Sequence, residues 1–484
     1  MSDNLQKKTF SGIIWTFAQK FSLEVFSFVQ GIILARLLLP SDFGLIAMTA
    51  VFFAVSNCFI DSGFGTALIR KPKKRAIDYS TVYVTNVVLT FFFAVLLFVC
   101  SPLIADFYHQ PVLKDIVRAN SVLMVMNSFN AVQGTRMRIH LQFKQLSISN
   151  VTITILVGLT SIAMAFMGYG VWSLIYPRFL TPFLYWAFYW HYQHWHPGLK
   201  FSWKIWREYF GFGSKLLASS LLDTIWGNIY PIVIGKKYSA AELGFFSRGS
   251  SYAYLPSRTF QQVLSQVTFP VLSAIQDDDE RLRTAYRRLI RLSGFVVFPM
   301  VMGMAALAKP LIIVMITEKW AQSIPYLQIV CFAAMWYPIH VLNLNLLTVK
   351  GRSDLFLTLE IAKKTLSAIV IIITIPLGVL YMCIGSVVTS FLCLFINTYY
   401  TGKLIKVGYF MQMRDLLPSL LYSLSMCVLV WIVTQMIPSM LMRITIGVPF
   451  GIVYYWGISK LFKSQELDYI MMLIKNNIIK RYGK

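Results

Sequence analysis

Residues 34–48 read LARLLLPSDFGLIAM, and residues 234–248 read IGKKYSAAELGFFSR. Without a gap, Arg36 falls on Lys236, Asp42 on Glu242 and Gly44 on Gly244. Each stretch closes one apolar run with basic residues, makes a short turn carrying an acidic residue, and opens a second apolar run. That is the pattern of two helices joined by a tight connection. Self-similarity at a fixed offset marks a duplicated unit. A second pair of turns, MGYGVW from Met167 and LGVLYMCIG from Leu377, corresponds in the same way. Six spans per unit is an even number, so both copies point the same way through a membrane. Parallel repeats of this kind are related by an axis along the membrane normal, with a substrate site between the two bundles.

The rest of the 484-residue chain points to a membrane setting. It is 57% hydrophobic and only 13% charged, whereas soluble domains carry about 25% charged residues. In hydrocarbon every backbone N–H and C=O must be satisfied within its own segment, so long apolar runs are helices. Fourteen spans are predicted, at 11–38, 42–62, 79–101, 116–137, 146–167, 171–192, 211–235, 241–268, 290–308, 321–348, 355–377, 381–402, 415–437 and 440–460. The expected fold is all-α and integral to the membrane. Two pseudo-symmetric six-helix bundles occupy residues 1–200 and 201–406, two further helices lie in 407–463, and a basic cytoplasmic tail follows at 464–484. In QDDDERLRTAYRRLIRL, from Gln276, acidic residues precede arginines, the order that suits a helix dipole. It predicts a short helix on the cytoplasmic surface joining spans eight and nine.

The net charge of +24 raises the question of nucleic acid. A nucleic-acid binder gathers its basic residues on one soluble face; here they punctuate apolar runs, so no nucleic-acid partner is expected. With the N-terminus inside, 31 of the 44 Lys and Arg residues fall on the cytoplasmic side, eight on the other, and five within spans. That bias obeys the positive-inside rule and places both termini in the cytoplasm. The start, MSDNLQKKTFSGIIW, lacks a small-residue cleavage site and reads as a retained first helix.

Enzymatic and metal chemistry find little support. The six cysteines form no CxxC pair, so neither a zinc site nor a disulfide framework is indicated. No GxxxxGK[ST] motif marks an ATP site, and no catalytic constellation sits in a soluble domain. HYQHWH at 191–196 places His191 and His194 on one face, but beside Trp190 and Trp195 it reads as an interfacial aromatic belt. The expectation is a transporter with no cofactor, driven either by an ion gradient, of protons or Na⁺, or by substrate concentration.

Ionisable side chains at bilayer depth cost about 2.5–3.5 kcal/mol each and therefore face a cavity or a partner. Lys20 and Glu24 sit one turn apart on span one, and Lys215 and Asp223 lie on span seven. Asp223 falls close to the repeat position of Glu24. Arg178 lies mid-way along span six, and Glu360 opens span eleven beside Lys363 and Lys364. On span eight, Arg248, Ser251, Leu255, Arg258, Gln262 and Ser265 advance by threes and fours, confining them to an arc of roughly 100°. Five of the six are polar.

Arginines in such an interior suit a phosphorylated ligand, because guanidinium groups grip phosphate oxygens as a fork. Arg248, Arg258, Lys20, Lys215 and Arg178 are the cationic cavity candidates, with ion pairs that merely stabilise the bundle as the competing reading. Glu24, Asp223 and Glu360 are candidates for the coupling ion. Asp61 reads as a cap or as a partner of the basic loop beside it. Asn120, Asn127, Asn130 and Gln133 on span four, with Gln262, are candidate polar lining that can hydrogen-bond sugars; helix–helix hydrogen bonds account for them equally well. Trp172, Tyr176, Tyr185 and Trp186 on span six can stack sugars or anchor at the interface.

The run ILARLLLPSDFGLIAM from Ile33 and DSGFGTALIRK at 61–71 resemble the Wzx-type polysaccharide flippases of bacterial envelope biosynthesis. So do ELGFFSRGSSYAYLP from Glu242, TFPVLSAIQDD ending at Asp278, and LLTVKGRSD from Leu346. These flippases belong to the multidrug/oligosaccharidyl-lipid/polysaccharide exporter superfamily, and the colanic-acid and teichuronic-acid exporters are the most similar subgroup. The resemblance implies a V-shaped pair of six-helix bundles in the bacterial cytoplasmic membrane, working by alternating access. It implies a substrate too, an undecaprenyl-pyrophosphate-linked oligosaccharide, with membrane lipids and polysaccharide polymerase or export machinery as partners. A drug/cation antiporter of the same superfamily and a lipid II-type flippase are the alternatives; a glycosyltransferase or polymerase would need larger extramembrane loops.

Overall fold

The computed structural model describes residues 2–61, 63–193 and 197–482, without the side chains of 2–14, 17, 212, 215, 216, 218, 219, 266, 267, 353, 473, 474 and 476–482. Among these residues the chain is helical throughout and contains no strand. It packs as two compact units, Met1–Gly244 and Phe245–Lys484.

The first unit contains α1 (Ser2–Leu37), α2 (Pro40–Asp61), α3 (Phe64–Arg70), α4 (Ala76–Tyr108), α5 (Val112–Ser128), α6 (Ala131–Ile139) and α7 (Phe143–Phe166). Two 3₁₀ turns, Gly170–Leu174 and Tyr176–Phe179, precede α8 (Leu180–Gln193), α9 (Trp203–Gly227) and α10 (Ile229–Lys237). α1 packs along α7, α4 along α5, and α2 along α9. That last contact holds α9 and α10 in the first unit, and the division between the two compact units falls inside the next helix, α11 (Ala240–Ala274). A small core of Phe64, Leu68, Val82, Val132, Ile205 and Tyr209 ties α3, α4, α6 and α9 together.

The second unit takes the length of α11 beyond Gly244 and continues through α12 (Asp279–Ala306), α13 (Ala308–Ile316), α14 (Ser323–Ala334), α15 (Tyr337–Val349) and α16 (Ser353–Thr374). It ends with α17 (Val379–Ile405), α18 (Tyr409–Gln435), α19 (Met440–Leu461) and α20 (Gln465–Tyr482). Trp336 is fully buried at the junction of α14 and α15, with Phe298 of α12 and Phe391 of α17 edge-on to it at 5.2 and 5.1 Å.

Eight helical segments are long and apolar enough to cross a membrane among the described residues. The other expected spans are broken or carry charge. Span four is split between α5 and α6, and span seven between α9 and α10. Span six opens with the two 3₁₀ turns, so Arg178 lies on the second of these and not in the middle of an α-helix. The expected surface helix before span nine is not separate: α12 runs unbroken from Asp279 to Ala306, with Asp278 accepting from the Arg281 N–H at 3.0 Å as its cap. An acidic first turn starts that helix and no proline or glycine interrupts it before the apolar stretch, so it simply continues. The basic tail is likewise helical, as α20.

The repeat is visible in both helix starts and helix breaks. At the start of α2 the Asp42 carboxylate accepts from the Leu39 N–H at 2.9 Å; at the start of α11 the Ser239 hydroxyl accepts from the Glu242 N–H at 3.1 Å. Span four breaks between Ser128 and Ala131, and span ten, its counterpart, between Ala334 and Tyr337. Gly44 and Gly244 make one reciprocal contact within the first unit. A Cβ on Gly44 would lie 1.7 Å from the Ala240 carbonyl oxygen, and one on Gly244 would lie 1.9 Å from that of Pro40.

α18 and α19 lie outside the repeat, yet α18 is bound into the second unit by buried amides. Gln412 of α18 donates to Asn343 Oδ1 at 2.9 Å and to Thr401 Oγ1 at 3.1 Å, and accepts from Asn343 Nδ2 at 3.0 Å. All three residues are at most 1% exposed. Gln412→Leu removes its three bonds to Asn343 and Thr401, which keep their bond to each other and to the Ile339 and Thr398 carbonyls, so the loss is about 1 kcal/mol per bond removed at most. A lowered thermal midpoint of the detergent-solubilised variant is the expected result; an unchanged one would show that the network contributes nothing.

Candidate functional site

In the second unit the cationic arc lies on α11. The helix packs through Gly249, Ala253, Ser257 and Gln261, all buried, and a Cβ on Gly249 would meet the α14 backbone at 3.0 Å. Packing this close needs glycine, and it orients the rest of α11. Ser251, Arg258 and Gln262 are exposed, while Arg248, Leu255 and Ser265 are half-buried. Arg258, one residue from the middle of a 35-residue helix, holds its guanidinium 5.1 Å from the centre of the Tyr254 ring, and Tyr254 meets Tyr337 edge-on. Arg248 interacts with Tyr252, one turn along. The Arg258 guanidinium is exposed, whereas the Nε of Arg248 is buried within the unit.

Glu360 on α16 is held by two lysines of its own helix, Lys363 at 2.5 Å and Lys364 at 3.8 Å. A carboxylate matched in this way is poorly placed to take up a further cation. His340 of α15 joins this side of the unit to α17, with Ser390 Oγ at 3.1 Å from Nε2 and Asn397 Nδ2 at 3.0 Å from Nδ1. Sequence reading passed over this histidine because its partners lie 50 and 57 residues away. An apolar cavity of about 560 Å³ opens between α12, α13, α18 and α19, lined by Phe295, Pro299, Leu307, Val430, Gly447 and Trp456 among others.

In the first unit, Lys20 and Glu24 are both exposed on α1, and no ion pair joins them. Asp223 is exposed on α9 and has an interaction partner. Arg178 is exposed, and the side chain of Lys215 lies outside the described residues. His194 and His196 also lie outside them; among the described residues no three His, Cys, Asp or Glu side chains form a metal-binding group.

The span-four amides do not share one cavity. Asn130 and Gln133 line a cavity of about 580 Å³ with Tyr83, Phe183, Trp186 and Tyr189. Asn130 Nδ2 donates to the Pro182 carbonyl at 2.9 Å, so part of that amide is used in packing. Asn120 and Asn127 line a different cavity, of about 340 Å³, with Asn57, Asp61 and Thr90. Asp61 and Asn57 are exposed and border the mouth of this open cavity, and Asp61 makes no ion pair with the basic loop beside it. The spacing of Asn57 and Asp61, one turn apart, was the available signal, but it gains meaning only once α5 is laid beside α2.

The described residues build an all-helical fold of the membrane type, with Arg258 exposed one residue from the middle of a long helix. The fold is shared with the lipid II flippase MurJ in its inward-closed conformation, at TM-score 0.74 and 16% identity over 93% of this chain and 98% of that one. Residues 33–325 match the polysaccharide biosynthesis protein family, and the chain belongs to that family. Among its relatives is the teichuronic acid biosynthesis protein TuaB of Bacillus subtilis (strain 168), 25% identical over 73% of each chain. Another is the lipopolysaccharide biosynthesis protein WzxC of Escherichia coli (strain K12), 25% identical over 86% of this chain and 83% of that one.

Proposed function

We propose that the chain is a flippase that carries an undecaprenyl-pyrophosphate-linked oligosaccharide from the cytoplasmic to the outer leaflet of a bacterial inner membrane, for surface polysaccharide synthesis. In this reading fourteen spans form two lobes of a V that alternates between inward-open and outward-open states, with both termini in the cytoplasm. The observation that carries it is the exposed Arg258 near the middle of α11, with the half-buried Arg248 on the same face. At bilayer depth a guanidinium facing acyl chains is costly, so Arg258, Arg248 and Gln262 face an aqueous cavity, with Lys20, Arg178 and Lys215 as further cationic lining. A pyrophosphate has the charge and oxygen geometry that arginine binds best. The apolar cavity beside α18 and α19 is of a chemistry that accepts a prenyl chain.

The lipid II-type flippase shares the fold, and sugar identity separates it from this reading. The drug/cation antiporter is disfavoured by the same arginines, which repel cationic drugs. No step of bond chemistry is needed: the work is moving an amphiphile, driven by a proton or Na⁺ gradient, and a polymerase that uses the flipped unit is the natural partner.

The test is transfer of a fluorescent pyrophosphate-linked oligosaccharide across proteoliposomes. Arg258→Ala is expected to slow transfer about tenfold or more, the worth of one charge-assisted hydrogen bond, and Arg258→Lys to recover part of the rate. Wild-type transfer by Arg258→Ala, or efflux of cationic dyes with no lipid transfer, would overturn the proposal.

A further inference from the structure

Oxygen atoms collect where two spanning segments of the first unit are interrupted. α2 ends at Asp61 and α3 begins at Phe64, with Gly63 between them at φ 71°. α5 ends at Ser128 and α6 begins at Ala131. Asp61, Asn127, Ser128 and Ala131, from both interruptions, line the cavity of about 340 Å³. A helix that stops leaves C=O groups without intrahelical partners, and its C-terminus carries roughly half a negative charge. Asp61 adds a full carboxylate to one of these ends, and α2 has no basic residue in its last turn. Two helix C-termini and a carboxylate are an arrangement that a cation relieves.

The neutral groups lining the cavity are of the matching kind. Asn120 Nδ2 donates to the Ile116 carbonyl at 2.9 Å, and Asn127 Nδ2 to the Leu123 carbonyl at 3.0 Å. A backbone carbonyl only accepts, so it is the NH₂ end of each amide that is engaged, and each Oδ1 is left as the available atom. Residues 120 and 127 are two turns apart on one face of α5. Thr90 of α4 supplies the independent sign of a ligand. It is 1% exposed, lines the cavity, and its hydroxyl has no hydrogen-bond partner. By contrast Thr81 and Thr85 on the same helix each donate to the carbonyl four residues back at 2.7 Å. A buried hydroxyl without a partner is costly unless something else meets it.

One carboxylate with amide and hydroxyl oxygens is a donor set for a hard cation, for which the thioether of Met124, also in the lining, is a poor ligand. Calcium sites gather more carboxylate charge, and a proton has no use for the neutral oxygens. Helix C-terminal ends at broken spans are where transporters hold sodium. We propose that Asp61, with Asn57, Asn120, Asn127 and Thr90, binds a sodium ion, and that this site carries the coupling ion in preference to Glu360, whose charge two lysines already match. The charge of Arg138, at the end of α6, reaches Asp61 without forming an ion pair, so it weakens the site without filling it. The coupling role rests on the flippase reading; the ion site does not.

The experiment is thermal unfolding of the purified full-length protein in detergent, titrated with NaCl against choline chloride at constant ionic strength. Wild type is expected to gain stability saturably with Na⁺, and Asp61→Asn to lose that response. Thr90→Val removes the orphaned hydroxyl. It is expected to be more stable than wild type without Na⁺ and to bind Na⁺ about tenfold more weakly. No Na⁺-specific gain in wild type, or a wild-type titration by Asp61→Asn, overturns the proposal. Should Asp61→Asn fail to fold, an unchanged Na⁺ affinity in Thr90→Val overturns it instead. Lipid transfer in proteoliposomes without any Na⁺ binding sinks the site and leaves the flippase. Na⁺ binding lost in Asp61→Asn, by a protein that moves no lipid-linked sugar, leaves the site and sinks the flippase.

Discussion

Replacing Gly44 by alanine is expected to abolish the normally folded protein, and replacing Gly244 is expected to do so to the same degree. At both positions the added methyl group meets a backbone carbonyl inside 2 Å, that of Ala240 or that of Pro40. A side chain can swing away from such an intrusion; backbone at the start of a helix cannot. Overpacking a core costs about 1–3 kcal/mol when side chains take up the strain, and here the cost should reach or exceed the upper end of that range. The equality is the sharper part of the expectation. Gly44 and Gly244, like Pro40 and Ala240, occupy equivalent positions of the repeat, so the contact is made twice by symmetry. Size-exclusion profiles and thermal midpoints of Gly44→Ala, Gly244→Ala and the double variant would decide the matter. Wild-type behaviour of either single variant, or damage confined to one of them, would refute the reciprocal contact.

Asp415→Asn should be the most damaging single change in the second unit. Arg287 of α12 donates to Asp415 of α18 through both arms of its fork, Nε to Oδ2 at 2.7 Å and Nη2 to Oδ1 at 2.6 Å. The Asp415 side chain is 7% exposed and that of Arg287 is 34% exposed. Removing one partner of a buried pair strands the other charge, at a cost of about 3–5 kcal/mol. Because Arg287 retains some access, the lower end applies. The same seam is closed by Gly294, where a Cβ would lie 2.5 Å from Leu416 Cδ2, and α19 is joined to α12 by the Tyr455 hydroxyl donating to the Phe295 carbonyl at 2.9 Å. The double variant Arg287→Met, Asp415→Leu removes both charges and is expected to lose less than Asp415→Asn alone, a positive coupling that a mutant cycle measures. Strictly additive losses would show that the pair acts as two independent surface charges.

The repeat was legible because it is carried by local residues. Gly44 and Gly244, Asp42 and Glu242 can be aligned with no knowledge of the fold, and each pair marks a helix start that the structure also contains. The stripe on α11 was legible for a similar reason, since 3.6 residues per turn decides which of its side chains share a face. The helix breaks were not. Neither 128–131 nor 227–229 contains a proline, and on either side of each break the sequence remains able to form a helix, so no local signal marks the interruption. The separate surface helix expected before span nine is continuous with that span's helix; charge alone cannot say whether a polar segment turns away or continues its helix.

From the sequence by itself followed the helical membrane-type architecture, the repeated turn pattern and the family resemblance, because all three depend on local hydropathy, the period of the helix and short turn patterns. Only the tertiary structure decided which polar groups meet. Asp61 stands beside Asn120 and Asn127, and Gln412 beside Asn343, because separate helices are laid side by side. That pairing is set by packing between residues tens of positions apart, which no periodicity within a single segment records.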